Sequence, residues 1–592
     1  MKKYSILIIL LTSFAVYFNA LFNGFVYDDI AQILQNPWIR DIKHIPQIMS
    51  RGVWEFEAEK ISNYFRPMMH VIFMVNYYLF GIKPWGYHLL NIMFHTGVSV
   101  LIFLITSHLF RKSQSPVFKP YLSPPFMAAM LFAVHPIHTE AVTWVSALPE
   151  VSYAFFFLLS FYFYIKFRTT GDRSFPKGLY ILSVASFSLA LLFKEPAVTL
   201  PVILMGYDFA FWSGEKRRQD HLKSYIPYLI MIIIYFIIRV SALRGFAPVK
   251  GAIELSGYLF VMNIFPLFIQ YLEKLVLPSN LNVFYVFHPI ESFFDLKGIL
   301  SILLTGAFMV VTYMAFKKNK IAFLSLLFIV IPLLPSLYIV GLGGINVFAE
   351  RYLYLSSFGF VVVVSLLTDW VREIKLKWGI PVVAVFSVLM VFYCIGTIKR
   401  NTIWKDNYTL WADTVEKSPD SALAHQNLGY ALLYYKERPG EAKEHFQIAA
   451  KLDPNLVENM INNNILLASK GLVDKAILGF HTVLILKPDS AVVHYNLGLA
   501  YESKGWTKQA AEQYQIAIQL KPNYADAHNN LGVIYGKTGL IDKAIEHFEI
   551  ALTSNSADPF TLHNLENAYR LKGLPKKAEE YKQRARSLEK SN

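Results

Sequence analysis

The groups in this chain best suited to chemistry are acids and cations that stand where long apolar runs end. The run from Tyr4 to Leu21 gives way to Asn23-Gly24-Phe25-Val26-Tyr27-Asp28-Asp29. A carboxylate with apolar neighbours at a membrane face has its charged form disfavoured, which raises its pKa toward the range of a general base. The plainer role for such a pair is to cap a helix in a surface loop. Further sets follow at other run ends: His135-Pro136-Ile137-His138-Thr139-Glu140, then Glu150, then Lys194-Glu195-Pro196, then Glu350-Arg351-Tyr352. Ionisable groups within or beside membrane segments are costly and as a rule functional. A lone Lys or Arg there also serves as an interfacial anchor. Five sets at one set of helix ends point to a shared site. His135 and His138 have a spacing that suits a metal, with Glu140 near, but histidines beside a proline at a helix end are more often structural. No cofactor is expected, and a divalent cation is left open.

These groups need elements to position them. The first 400 residues are a series of long apolar runs, and a helix needs roughly 20 apolar residues to cross the hydrocarbon core. Spans are expected at 4–21, 87–109, 126–141, 150–168, 178–194, 197–212, 224–243, 297–316, 321–341, 352–370 and 379–398. The net charge of +14 is gathered in short clusters between them: Lys2-Lys3, Arg111-Lys112, Lys166-Phe167-Arg168, Lys216-Arg217-Arg218, Lys317-Lys318 and Arg372 to Lys377. With Lys2-Lys3 in the cytoplasm, eleven crossings put every cluster on the cytoplasmic side, as the positive-inside rule requires. The residues after Ile398 then lie outside the cytoplasm. Tyr258 to Leu277 is apolar enough to cross but would break this agreement, so a re-entrant or interfacial segment is expected there. The loop from residue 22 to 86 is long and rich in aromatics (Trp38, Trp54, Tyr64, Phe65, Trp85), which suggests short helices resting on the interface. No basic stripe with interleaved aromatics favours nucleic acid.

Beyond residue 400 the composition changes and a repeat appears. Asn427, Asn462, Asn496, Asn530 and Asn564 are spaced 35, 34, 34 and 34 residues apart. Asn-Leu-Gly recurs at 427–429, 496–498 and 530–532, and small-then-aromatic pairs recur at Ala442/Phe446, Ala476/Phe480, Ala510/Tyr514 and Ala544/Phe548. A small residue lets two helices approach and the aromatic fills the gap. Pro454, Pro488 and Pro522 end their units because proline cannot continue a helix. The pattern resembles the tetratricopeptide (TPR) family, in about five units over 415–592. Such a solenoid binds a polypeptide on its concave face, or serves as a plain spacer.

The membrane half has its own resemblance. Phe25-Val26-Tyr27-Asp28-Asp29, Phe65-Arg66-Pro67, Gly86-Tyr87-His88-Leu89-Leu90-Asn91, His135 to Val142, Phe193-Lys194-Glu195 and Ala349 to Tyr354 look like the transmembrane-and-TPR-containing protein O-mannosyltransferases, in order and in spacing. The resemblance implies an all-α, GT-C-like polytopic helical bundle of about 11 spans over 1–400, a linker at 401–414, and a TPR α-solenoid over 415–592. It implies transfer of a sugar from a lipid-linked donor, typically a polyprenyl phosphate, to a protein hydroxyl. The family's acidic pair maps onto Asp28 and Asp29. Where that family usually carries Gly-Arg-Ala-Asp, this chain has Ser146-Ala147-Leu148-Pro149-Glu150.

In the mechanism expected here, Asp28 or Asp29 takes the acceptor's proton. Arg351 and Lys194, with His135 or His138, meet the donor phosphate, and Glu140, Glu150, Glu195, Glu350 and Arg66 support them. The partners expected are a lipid-linked donor, membrane lipids and an acceptor polypeptide on the TPR stack. The membrane expected is a bacterial inner membrane, or that of the endoplasmic reticulum in a eukaryote, with the TPR domain extracytoplasmic. The rival is a membrane-anchored scaffold without catalysis. A transporter would carry its charges nearer mid-span.

Overall fold

In the computed structural model, residues 2–57, 62–110, 123–170, 176–211, 222–246, 248, 257–292, 294–337, 347–374, 379–554 and 558–589 are described. The described residues are 83 % helical, with no strand among them. It divides into two compact units, Met1–Ala431 and Leu432–Asn592. Arg111-Lys112, Lys216-Arg217-Arg218 and residues 375–377 of the basic clusters lie outside the described residues.

The first unit is a membrane protein's bundle. Nine described helices are long and apolar enough to cross a bilayer, and Pro67–Phe80, Pro124–Val134 and Lys177–Phe193 are shorter apolar helices. Hydropathy and the basic clusters together predict eleven spans, and two of them, 126–141 and 197–212, differ. The span expected at 126–141 is broken. Its helix runs from Pro124 to Val134 and stops because Pro136 has no N–H to donate and forces His135 into an extended conformation. A 3-10 turn at Pro136–His138, the short helix Thr139–Thr143 and a second 3-10 turn at Val145–Ala147 follow, before the long helix Leu148–Thr170. The span expected at 197–212 is a 3-10 turn, Glu195–Thr199, leading into the 12-residue helix Leu200–Phe211. The segment expected to be re-entrant or interfacial, 258–277, is one 20-residue helix, Gly257–Val276, which keeps Pro266 inside it and is long and apolar enough to cross; a continuous helix rules out the re-entrant form and is compatible with the interfacial one.

Close approach between helices depends on small residues, as is usual where lipid supplies no hydrophobic drive. A Cβ added at Gly359 would lie 2.1 Å from the carbonyl oxygen of Ser325. Only glycine lets the helix Leu353–Ile374 sit this tightly on Lys320–Val330. That contact fixes the helix that directly follows the 3-10 turn Glu350–Tyr352, which carries Glu350 and Arg351.

The segment expected as a linker at 401–414 is packed. Trp404, Leu410 and Trp411 are buried. The helix Asn407–Lys417 starts with a capping box between Asp406 and Thr409, which satisfies two orphan amides at once. Arg400 and Lys417 both pair with Asp413, each at 2.7 Å. The boundary between the units falls later, inside the helix Ala422–Tyr435.

The second unit is a run of paired helices from Pro439–Leu452 to Pro575–Glu589. Gly471, Gly505, Gly539 and Gly573 turn the chain between paired helices with φ of +75° to +80°, a conformation that side chains resist. Gly498 faces Tyr514 and Gly532 faces Phe548, with 2.5 Å and 2.7 Å left for an added Cβ. In the second repeat the roles are exchanged. Asn464 occupies the glycine's position, and Gly479 on the partner helix makes room for it, with 2.0 Å from an added Cβ to the Asn464 Oδ1.

Candidate active site

The acidic turn is held from three directions. After the first helix the chain turns at Tyr27, whose φ of +52° is unusual for a residue with a side chain. The Tyr27 N–H donates to the Asn407 Oδ1 at 2.8 Å, and its ring lies against Trp144 and Trp411, with centroids 5.8 Å and 5.2 Å away. Gly24 N–H donates to the Lys405 carbonyl at 2.9 Å. This turn drives Asp29 inward, where it is fully buried, and leaves Asp28 half-buried. Asp29 Oδ1 accepts from the Ser146 N–H at 2.7 Å and the Ser146 hydroxyl at 2.5 Å, and Oδ2 accepts from the Val26 N–H at 3.1 Å. Burial pushes the Asp29 pKa up to about 7, against the lowering effect of the Ser146 and Val26 hydrogen bonds, and Asp28 adds to the rise.

The broken stretch after Val134 carries the next groups. Glu140 accepts the Arg351 N–H at 2.8 Å and pairs with the Arg351 guanidinium. Arg351 Nε also lies 3.9 Å from the Glu150 Oε1. Glu150 in turn pairs with Lys194, both side chains being almost wholly buried. The neighbouring Glu195 accepts from Arg66 Nη2 at 3.1 Å and Nε at 3.3 Å. Buried charges survive only when paired, and here three cations alternate with three acids. Burial lowers the Lys194 pKa to about 8; Glu150 opposes this, while the charges of Arg66 and Arg351 add to it. Burial would raise Glu195, but the Arg66 charge beside it holds it below the ordinary carboxylate value.

Aromatic faces cover the cations. Arg351 lies 5.4 Å from the Trp144 ring centroid and 4.9 Å from that of Tyr352. Lys194 lies 4.8 Å from Tyr352, and Arg66 lies 4.5 Å from Tyr64. Such contacts gain strength away from water.

The structure therefore brings Glu140, Glu150, Lys194, Glu195, Arg66 and Arg351 into one neighbourhood. Asp29 is tied through Ser146 to the same 140–150 stretch. Three expected residues are placed differently. His135 and His138, expected at the donor phosphate, are buried and spend their ring nitrogens inside the fold. His135 bonds the Leu275 carbonyl at 3.2 Å and accepts the Ile137 N–H at 3.2 Å. His138 bonds the Phe132 carbonyl at 2.9 Å and the Ser357 hydroxyl at 2.7 Å. Glu350 serves the 280–285 loop, accepting from Asn282 N–H at 2.5 Å and the Tyr285 hydroxyl at 2.6 Å. No cluster of three or more His, Cys, Asp or Glu suited to a metal occurs among the described residues.

Sequence reasoning missed Ser146, which has no motif, and Arg239. The Arg239 guanidinium donates to the Phe246 carbonyl at 2.7 Å and to that of Asn63 at 2.9 Å, fixing the strand of chain that presents Tyr64 and Arg66. An arginine inside the apolar run 224–243 was the available signal. Chemically, the site offers an acid of near-neutral pKa and a set of cations able to meet a phosphate, as transfer of a group away from phosphate requires.

The chain resembles several curated proteins. It is 29 % identical over 472 residues to Protein O-mannosyl-transferase TMTC3 of Homo sapiens, covering 71 % of this chain and 48 % of the relative. The mouse TMTC3 protein is 27 % identical, covering 74 % of this chain and 50 % of its own. Protein O-mannosyl-transferase F38B6.6 of Caenorhabditis elegans is 27 % identical, covering 76 % and 63 %. The chain thus spans about half the length of these two TMTC3 relatives. A family profile described as TPR repeat matches residues 503–539, and one described as Tetratricopeptide repeat matches 525–558.

Proposed function

We propose that this protein is a membrane glycosyltransferase that moves a mannose-like sugar from a polyprenyl phosphate to Ser or Thr hydroxyls of a polypeptide. The observation that carries the reading is the joining of the acidic turn to the cationic helix ends through one stretch: Asp29 to Ser146, and Arg351 to Glu140. The names of the curated relatives support the same chemistry.

An alcohol is a weak nucleophile at neutral pH. A carboxylate in hydrogen-bond reach takes its proton as the oxygen attacks the anomeric carbon. The new C–O bond forms as the bond from the anomeric carbon to the phosphate oxygen breaks, and polyprenyl phosphate leaves with the electron pair. A single displacement inverts the anomeric centre. Asp29 and Asp28 are the candidates for the base. Arg351 and Lys194 stabilise the departing phosphate, with Arg66 beside them, while Glu140, Glu150 and Glu195 hold the cations in place. The donor's isoprenoid tail lies among the membrane helices. The TPR stack binds the acceptor polypeptide on the extracytoplasmic side, and a bacterial inner membrane is the favoured location.

The test is incubation of the purified full-length protein with polyprenyl-phosphate mannose and a Ser/Thr-rich peptide, read by intact mass. A hexose added by the wild type and lost in Asp28→Asn/Asp29→Asn supports the transferase. No hexose from any polyprenyl-phosphate sugar, with unchanged peptide capture by the double variant, would leave a scaffold.

A further inference from the structure

Ser146 places two donors on one oxygen of Asp29. Its N–H lies 2.7 Å and its hydroxyl 2.5 Å from Oδ1. Oδ2 receives the Val26 N–H at 3.1 Å. A carboxylate oxygen offers about two acceptor positions, so Oδ1 is filled while Oδ2 retains one. Asp29 is 0 % exposed, and exchanging its two oxygens would break all three bonds. The two oxygens are therefore inequivalent.

We propose that Ser146 is a positioning residue for the transfer reaction: it anchors the Asp29 carboxylate through Oδ1 and leaves Oδ2 as the oxygen that takes the acceptor's proton. This rests on the glycosyltransferase reading above and chooses Asp29 as the base. The proton leaves the acceptor hydroxyl for Oδ2, the acceptor oxygen bonds the anomeric carbon, and the phosphate oxygen departs with the bonding pair. A base fixed at one oxygen presents the other along a defined line, and such placement is a large part of catalytic rate.

The bonds from Ser146 also favour the ionised form of Asp29. Among the surrounding charges, Asp28 on the same turn opposes ionisation. On the neighbouring elements, Glu150 pairs with Lys194 and Arg351 pairs with Glu140, while the Tyr27 ring covers the turn on the Trp144 side. Removing the Ser146 hydroxyl therefore makes Asp29 harder to ionise, and the base is then lost at a higher pH.

The experiment follows kcat against pH for the full-length protein with polyprenyl-phosphate mannose and a Ser/Thr-rich peptide. Ser146→Ala should move the acid limb to higher pH. On that limb kcat falls on the order of tenfold, the size of one hydrogen bond to a charged group. The loss should vanish at alkaline pH, with the donor KM unchanged, and Ser146→Thr should restore the limb. Infrared titration of the Asp29 carboxyl band, assigned by difference against Asp29→Asn, should shift the same way without turnover. An unmoved infrared titration in Ser146→Ala overturns the proposal whether or not transfer is seen. A loss equal at every pH also overturns it, as the mark of a merely structural role. Full transfer by Asp29→Asn would remove the base itself, while the transferase reading would survive through Asp28. Absence of transfer by the wild type, with the infrared shift intact, would strike that reading and with it the proton transfer to Oδ2, leaving Ser146 as an anchor of Asp29 only.

Discussion

The membrane unit and the repeat unit bury different things. In the repeat unit, the buried interior is built from Ala, Leu, Phe and Tyr at fixed intervals, as in Ala510 with Tyr514 and Ala544 with Phe548. In the membrane unit, the interior beside the broken stretch holds Asp29, Glu140, Glu150 and Lys194, each at most 3 % exposed. Burying charge gives up hydration that pairing only partly returns. Periodic packing therefore reads as architecture, and unperiodic buried charge reads as chemistry. The lesson is where to look: at the interruptions of a helix rather than along it.

The sharpest way to break this contrast is at the acids. Asp28→Asn/Asp29→Asn should lower transfer by about 10²- to 10⁴-fold, the usual worth of a general base, while membrane insertion, followed by protease protection, stays intact. For the unaltered protein, activity should fall as pH drops through about 7, because a base raised to that value is protonated below it. A flat profile from pH 5 to 8 would count against Asp29.

Next comes Glu140→Ala. It removes the carboxylate that pairs with Arg351 and leaves that guanidinium only the more distant Glu150, and losing one partner of a buried pair costs about 3–5 kcal/mol. Thermal unfolding in detergent should show that loss in the membrane unit while the melting of the repeats, followed by their own probe, is unchanged.

Within the repeats the effects should be smaller and local. Gly498→Val drives a side chain into Tyr514 and should cost about 1–3 kcal/mol by overpacking, with transfer chemistry on a saturating short peptide unaffected. Smallest is Gly505→Ala, at φ +75°, with about 1 kcal/mol expected from backbone strain alone. A larger loss there than at Glu140 would reverse the comparison.

How much of this was legible in the sequence follows the same division. The repeat was plain because one position recurs five times at intervals of 34 or 35 residues. The acids and cations were visible by type, since Asp28, Glu150, Lys194 and Arg351 stand at the edges of apolar runs. Their supports were not. Hydropathy runs unbroken across 126–141 because His135 and Pro136 are two residues in an apolar window, yet one missing N–H ends the helix there. The linker that the resemblance implied at 401–414 hid its packing, because Trp404 and Trp411 are buried in a stretch with no repeat or apolar run to mark it. Ser146 gave no sign, because a hydroxyl that orients a carboxylate from 117 residues away leaves no local pattern.

The tie between Tyr27 and Asn407 sets the order of events in biogenesis. The acidic turn leaves the ribosome 380 residues ahead of its clasp, which is made only after nearly all the membrane unit has been synthesised. Through most of insertion, then, the nascent chain carries Asp28 and Asp29 without the frame that holds their turn. The turn is completed only when a segment far downstream of it arrives.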